Sequence, residues 1–212
     1  MSTIIIDIET VSTSVAEEPI SHASLSPFAG QIISLAMYDL ERELGAVYYV
    51  GNQNQDFVDD SFKYKVRTEA EILEDFWTGA TDYDVFVTFN GRSFTLPFLY
   101  HRSAINEIKP TIQLSRNRYL SRQSFPYHVD LMDEFSFYGA MKPAPSLKAL
   151  TEAYGIDYRQ EISGSEVGEF FQQKKFTDLA KRSAVDVLAL KSLFAIWQKN
   201  FSPPSFINAT EL

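Results

Sequence analysis

The chain holds 212 residues, 45% of them apolar, 22% charged and 14% aromatic, with 9 Gly and 9 Pro. This length supports one large domain or two small ones, and 17 Phe, 11 Tyr and 2 Trp exclude a disordered or collagen-like chain. Cysteine is absent, which removes disulfides, thiolate zinc sites and a cysteine nucleophile, and a net charge of −9 argues against a protein that coats nucleic acid non-specifically.

Taken in chain order, the N-terminal MSTIIIDIET carries acids at positions 7 and 9 and no basic segment, so a signal peptide is not expected. No apolar run approaches the roughly 18 residues of a membrane span, and a soluble, cytoplasmic protein is the expectation. Residues 3–7 (TIIID) form a β-branched apolar run ending in acid, the pattern of a buried central strand. Residues 12–31 are rich in Ser, Pro and Glu and read as a loop. Residues 32–38 and 46–50 read as the next two strands, joined by a short turn, and residues 52–65 read as polar and irregular.

Thr68 with Glu71 three residues later is a capping-box pattern that starts a helix running to about Trp77. Residues 85–89 (VFVTF) form another strand, residues 94–104 a helix, and residues 129–131 a short strand. Residues 146–154 and 165–173 are helical segments. Thr177 is the expected N-cap of a long last helix whose Leu179, Val187, Leu190, Phe194 and Trp197 share one face. The order of elements predicts an α/β domain with a mixed sheet over residues 1–201, and a loose tail over residues 202–212.

Three local patterns carry chemistry. Asp7 and Glu9 are two apart after an apolar strand, so both carboxylates project from one face where that strand is expected to end, and a cation would offset their repulsion. With no thiolate available, the hard oxygen donors favour Mg²⁺ or Mn²⁺. Asn90-Gly91-Arg92-Ser93-Phe94-Thr95-Leu96-Pro97 follows a strand and, without further context, reads as an ordinary strand-to-helix turn. Asp186 sits in Ala184-Val185-Asp186-Val187-Leu188, apolar on both sides, so it points inward and needs a partner or a metal.

Charge is also unevenly placed. Residues 1–80 hold 14 acids and 4 bases, whereas residues 81–212 hold 14 acids and 15 bases. Between Glu107 and Asp130 the only charges are Lys109, Arg116, Arg118 and Arg122, interleaved with Tyr119, Phe125 and Tyr127. Bases alternating with rings suit phosphates and stacked nucleobases; the alternative is a solvated connecting loop.

Read together, Asp7-Ile8-Glu9-Thr10, Asn90-Gly91-Arg92-Ser93-Phe94 with Leu96-Pro97, and Asp186-Val187 resemble the three motifs of the DEDD superfamily of 3′–5′ exonucleases. That superfamily has the ribonuclease-H-like fold. His128-Val129-Asp130-Leu131, Ser146-Leu147 and Gly164-Ser165-Glu166-Val167 resemble intervening segments of the group related to the proofreading domain of B-family DNA polymerases. The likeness runs from about residue 1 to residue 197 and implies a mixed five-stranded sheet flanked by helices. It implies Asp7, Glu9 and Asp186 as ligands of Mg²⁺ or Mn²⁺, and a single-stranded or fraying 3′ end as substrate, with DNA favoured over RNA but RNA left open. Thr10, Asn90, Gly91, Phe94, Thr95 and Arg182 would meet the terminal nucleotide, and Arg116, Arg118 and Arg122 the strand behind it.

This chain departs from the family pattern in two places. Thr95 stands where the family has Asp, and Arg182 where it has Tyr; a related subgroup's His corresponds to Lys181. A neutral Thr would hold a second ion weakly, and a guanidinium cannot accept a proton, although it can grip a phosphate. The implied activity is therefore a slow metal-dependent 3′–5′ exonuclease. The alternatives are a catalytically inactive nucleic-acid-binding relative, or a protein scaffold using the acidic N-terminal region.

Overall fold

Alternation along the first strand decides the layering. The computed structural model describes residues 1–13, 23–52, 55–59, 61–203 and 206, and its first strand, β1, spans Thr3–Ser12. Ile4, Ile6 and Ile8 point to one face, where they pack with Ile72, Phe76 and Trp77 of helix α1 (Glu69–Ala80) and Phe98 and Leu99 of α2 (Thr95–Ile105). Ile5 points to the other, against Ala184, Val187 and Leu190 of the long last helix α6 (Phe176–Asn200). Two-residue periodicity then puts Asp7 and Glu9 on the α6 side. The two apolar layers, one on each face of the sheet, form the core.

Among the described residues β1 lies inside a mixed seven-stranded sheet. The other strands are β2 (Gly30–Asp39), β3 (Leu44–Tyr49), β4 (Phe57–Asp59), β5 (Phe62–Val66), β6 (Val85–Thr88) and β7 (Tyr127–Asp130), in the order β4-β5-β3-β2-β1-β6-β7. β1 runs antiparallel to β2 along its whole length but pairs with parallel β6 only from Thr3 to Ile5. Beyond Ile5 it continues beside β2 alone, and the register with β2 shifts between Glu9 and Thr10. A crevice therefore opens past the carboxyl ends of β6 and β7, the place where α/β sheets present their ligands.

The five expected strands are present, with two more at the edge. β4 and β5 fall in the stretch read as irregular; Phe62 and Tyr64 point inward and are buried, alternating with Lys63 and Lys65, but the runs are too short for periodicity to register. β1 extends to Ser12, so the acid pair sits within the strand rather than at its end. The capping box forms as read, with Glu71 N–H donating to the Thr68 hydroxyl and Thr68 N–H to the Glu71 carboxylate. Thr177 does not cap α6, which begins one residue earlier at Phe176 with no side-chain cap. Three short helices, α3 (Leu131–Phe135), α4 (Leu147–Ala153) and α5 (Val167–Gln172), precede α6. Residues 14–22 of the expected first loop, with His22, and residues 204, 205 and 207–212 of the expected tail lie outside the described residues; Phe206 is buried against Trp197 and Tyr127. Among the described residues no helix is long and apolar enough to cross a membrane.

His128 on β7 is 1% exposed, with Nε2 against the Thr88 hydroxyl at 2.8 Å. Burial, helped by the positive charge of Arg92, holds its pKa down to about 3. The folded protein therefore keeps His128 neutral while the unfolded chain takes up a proton below about pH 6.5, so stability is lost as pH falls from 6.5 toward 3. Between pH 7.5 and pH 5.0 this one group is expected to remove about 2 kcal/mol that His128→Gln does not lose. Urea unfolding of both proteins at the two pH values checks it; identical pH dependence would contradict it.

Candidate functional site

The crevice is closed by residues from the two elements that flank it. Asp7 and Glu9 come from β1, and Asp186 comes from α6, whose apolar face sits on the sheet. The height of α6 is set by a buried link: the Ser183 hydroxyl donates to the Ser34 hydroxyl at 2.8 Å, and Ser34 is the cross-strand partner of Glu9. One ligand oxygen from each of Asp7, Glu9 and Asp186 lies within 4.8 Å of the others. Glu9 is 8% and Asp186 6% exposed, and Asp7 is half-buried. Enclosing like charges is unfavourable, and the Asp7 carboxyl shows it. Burial first, then the negative charge of Asp186, pushes it well above the usual carboxylate range, with Arg182 pulling the other way.

Arg182, one helical turn before Asp186, is the counter-charge. Its Nη1 donates to Asp186 Oδ2 at 3.1 Å and is ion-paired with Glu9 Oε1, while its Nε donates to the Ile162 carbonyl at 2.9 Å. Two side chains from the segment before α5 hold the other oxygen of Asp186: the Tyr158 hydroxyl donates to Oδ1 at 2.6 Å and Gln160 Nε2 at 2.9 Å. Burial and the charge of Asp186 raise the Tyr158 phenol well above its ordinary range, so it stays a donor. Neither Tyr158 nor Gln160 was legible as a site residue, because no regular element or spacing ties residues 158–160 to β1 or α6.

The second motif builds a turn at the mouth of the same crevice. Asn90 takes a left-handed backbone (φ 56°), and a Cβ on Gly91 would fall 2.0 Å from the Thr88 hydroxyl, so only glycine fits there. The Asp130 carboxylate accepts the N–H groups of Asn90 (2.9 Å), Arg92 (2.8 Å) and Met132 (3.1 Å), fixing the turn to β7. Its oxygens are spent on the backbone, so Asp130 is a staple for the turn rather than a member of the acidic cluster. Phe94 packs on Phe98 with ring centroids 5.0 Å apart. Thr95 opens α2 fully buried, and its hydroxyl has no hydrogen-bond partner among the described residues, so it bonds to none of the three carboxylates. The Thr10 hydroxyl donates to the Ser24 carbonyl at 2.6 Å.

The basic stretch is only partly free. Arg118 chelates Asp133 (Nη2–Oδ1 2.6 Å, Nε–Oδ2 3.1 Å), and Arg92 reaches the same carboxylate at 3.2 Å. Arg122 lies over the Tyr119 ring at 5.9 Å, and Arg116 and Arg122 are exposed.

The donor set fits one hard divalent cation: three carboxylates converge, with no nitrogen or sulfur ligand among them. Among the described residues no further carboxylate or histidine joins this cluster, and Thr95 is neutral and enclosed. Residues 33–200 match the family described as predicted 3′–5′ exonuclease related to the exonuclease domain of PolB, and the chain belongs to that family. The match spans the second and third motifs and Asp186, and begins after β1. No curated protein matches the chain.

Removing Arg182 would leave Glu9 and Asp186 uncompensated in the crevice, since its side chain is only 10% exposed and touches both. Arg182→Ala is expected to lower the unfolding free energy by about 3 kcal/mol, and by at least about 1 kcal/mol less when Glu9→Gln is already present. A four-protein urea unfolding cycle measures the coupling; additive losses would contradict the pairing.

Proposed function

We propose that the protein is a slow, divalent-metal-dependent 3′–5′ exonuclease acting on single-stranded or fraying 3′ ends, with Asp7, Glu9 and Asp186 holding Mg²⁺ or Mn²⁺. The observation that carries this reading is the convergence of three carboxylates from β1 and α6 within 4.8 Å at the carboxyl ends of the parallel strands, in a chain of this family. A divalent ion held there supplies Lewis acidity toward the scissile phosphate and the attacking water. In the hydrolysis a water oxygen bonds to phosphorus, the bond from phosphorus to the 3′ oxygen of the preceding nucleotide breaks, and that oxygen leaves with a proton.

The chain's own residues position this chemistry. Tyr158 and Gln160 fix Oδ1 of Asp186, which leaves Oδ2 to Arg182 Nη1, the nitrogen that also meets Glu9. The turn at Asn90 and Gly91, with Phe94 behind it, forms one wall for the terminal nucleotide, and Thr10 the edge of β1 beyond Glu9. Arg182 stays charged and cannot take the water's proton, and Thr95 adds no second ion site; the missing base alone slows the reaction on the order of 10²–10⁴-fold. Resemblance to a DNA-polymerase proofreading domain favours DNA over RNA. Arg116 and Arg122, exposed on the basic stretch, suit the strand behind the 3′ end. The contacts of Arg182 with Glu9 and Asp186 favour a second reading, a relative that binds nucleic acid without cutting it.

A 5′-labelled single-stranded oligonucleotide incubated with Mn²⁺ is expected to shorten stepwise from its 3′ end, at a rate reduced at least about 10²-fold in Asp7→Asn and in Asp186→Asn. A strand that is bound but not shortened would establish the second reading, and shortening that survives both substitutions would reject these carboxylates. In filter binding across a salt series, the double variant Arg116→Ala and Arg122→Ala is expected to flatten the slope of log affinity against log salt by about 1.4, two phosphate contacts' share. An unchanged slope would return the stretch to a solvated loop.

A further inference from the structure

A carboxylate has about four lone-pair positions, and Asp186 uses three of them within the protein. Oδ1 accepts from Tyr158 and Gln160, and Oδ2 from Arg182. The Arg182 nitrogen that reaches Oδ2 also meets Glu9 Oε1, so a single Nη1 bridges a strand carboxylate and a helix carboxylate of the cluster. Ion pairing between neighbours on one helix is commonplace. Here the guanidinium crosses from α6 to β1 and enters the space between two of the three groups that converge within 4.8 Å.

We propose that Arg182 is a built-in counter-cation occupying the position between Glu9 and Asp186 that a divalent ion would take, so that ion binding and the Arg182 contacts exclude one another. The inference rests on the reading of the cluster as a metal site. A guanidinium at contact distance repels an incoming ion and engages the carboxylate oxygens that the ion needs. The side chain has somewhere to go. Arg182 lines a surface cavity of about 460 Å³ together with Gln160, Ile162, Phe170, Lys181 and Val185. Its Nε bond to the Ile162 carbonyl already lies on that side. Metal entry therefore means exchange of one compensating cation for another, with the guanidinium turning into the cavity.

Calorimetric titration with Mn²⁺ alone tests this, on the wild type, Arg182→Gln, and Arg182→Gln combined with Asp7→Asn. Arg182→Gln is expected to bind Mn²⁺ on the order of tenfold tighter or more than the wild type, and the added Asp7→Asn to abolish the gain. Binding by Arg182→Gln no tighter than wild type, but lost with Asp7→Asn, overturns the proposal and leaves the metal site standing. No binding by either protein at millimolar Mn²⁺ overturns the metal site and the proposal with it. If Arg182→Gln does not fold, ¹⁵N spectra of the wild-type arginine side chains under Mg²⁺ titration decide. The proposal requires the Arg182 guanidinium signals to shift with the same midpoint as ion binding; signals that hold still while the ion binds overturn it.

Discussion

Mutual repulsion among Asp7, Glu9 and Asp186 is the constraint to which the rest of the site answers. Two of the three are buried and one half-buried, with oxygens within 4.8 Å, and such a cluster is relieved by a compensating cation or by a proton on one carboxyl. Arg182 supplies part of that compensation by touching two of them, while the third shows the residual stress as a carboxyl pushed well above its ordinary range. Tyr158 and Gln160 contribute hydrogen bonds to the charged form of Asp186. A nearby group of hydrogen-bonding and charged residues is thus organised around keeping negative charge in place.

The sheet makes that concentration possible. β1 outlasts its parallel neighbour β6, which pairs with it only to Ile5, so Asp7 and Glu9 extend past the end of the parallel strands while β2 still holds the backbone. The same strand's isoleucines anchor both layers of the core, and α6 buries Val187, Leu190 and Trp197 against the sheet to bring Asp186 across. Opposite, Asp130 gathers three backbone N–H groups to fix the Asn90-Gly91 turn. The result is a crevice with one acidic wall and one rigid turn, in a chain of the PolB-related exonuclease family.

How much of this was legible differed by the kind of signal. Strands such as β1 and β6 are dense in β-branched and aromatic residues, and where they begin follows directly, although β1 runs on past its acids to Ser12; the Thr68–Glu71 cap is read from two residues and forms as read. β4 and β5 escaped because three and five residues cannot establish a period, although Phe62 and Tyr64 alternate correctly. Thr177 looked like a cap because its type suits one, but Phe176 packs against the core cluster and the helix starts there, two residues before a Thr177 cap would place it. At the site, the acids were legible as a family pattern. Their counter-charge was not: Arg182 reads as a departure at a motif position, and only the crossing from α6 to β1 shows that it touches Glu9. Tyr158 and Gln160 lie in a segment without an element, where spacing carries no information about what a side chain meets.

The account turns on whether the acidic crevice takes a divalent ion in exchange for its arginine. A crystal structure of the wild-type protein soaked in Mn²⁺, with anomalous scattering to locate the metal, reads this directly. The account predicts one anomalous peak about 2.1–2.4 Å from oxygens of Asp7, Glu9 and Asp186, with the Arg182 guanidinium withdrawn from Glu9. Mn²⁺ found only elsewhere on the protein, with Arg182 still bridging Glu9 and Asp186, would contradict it.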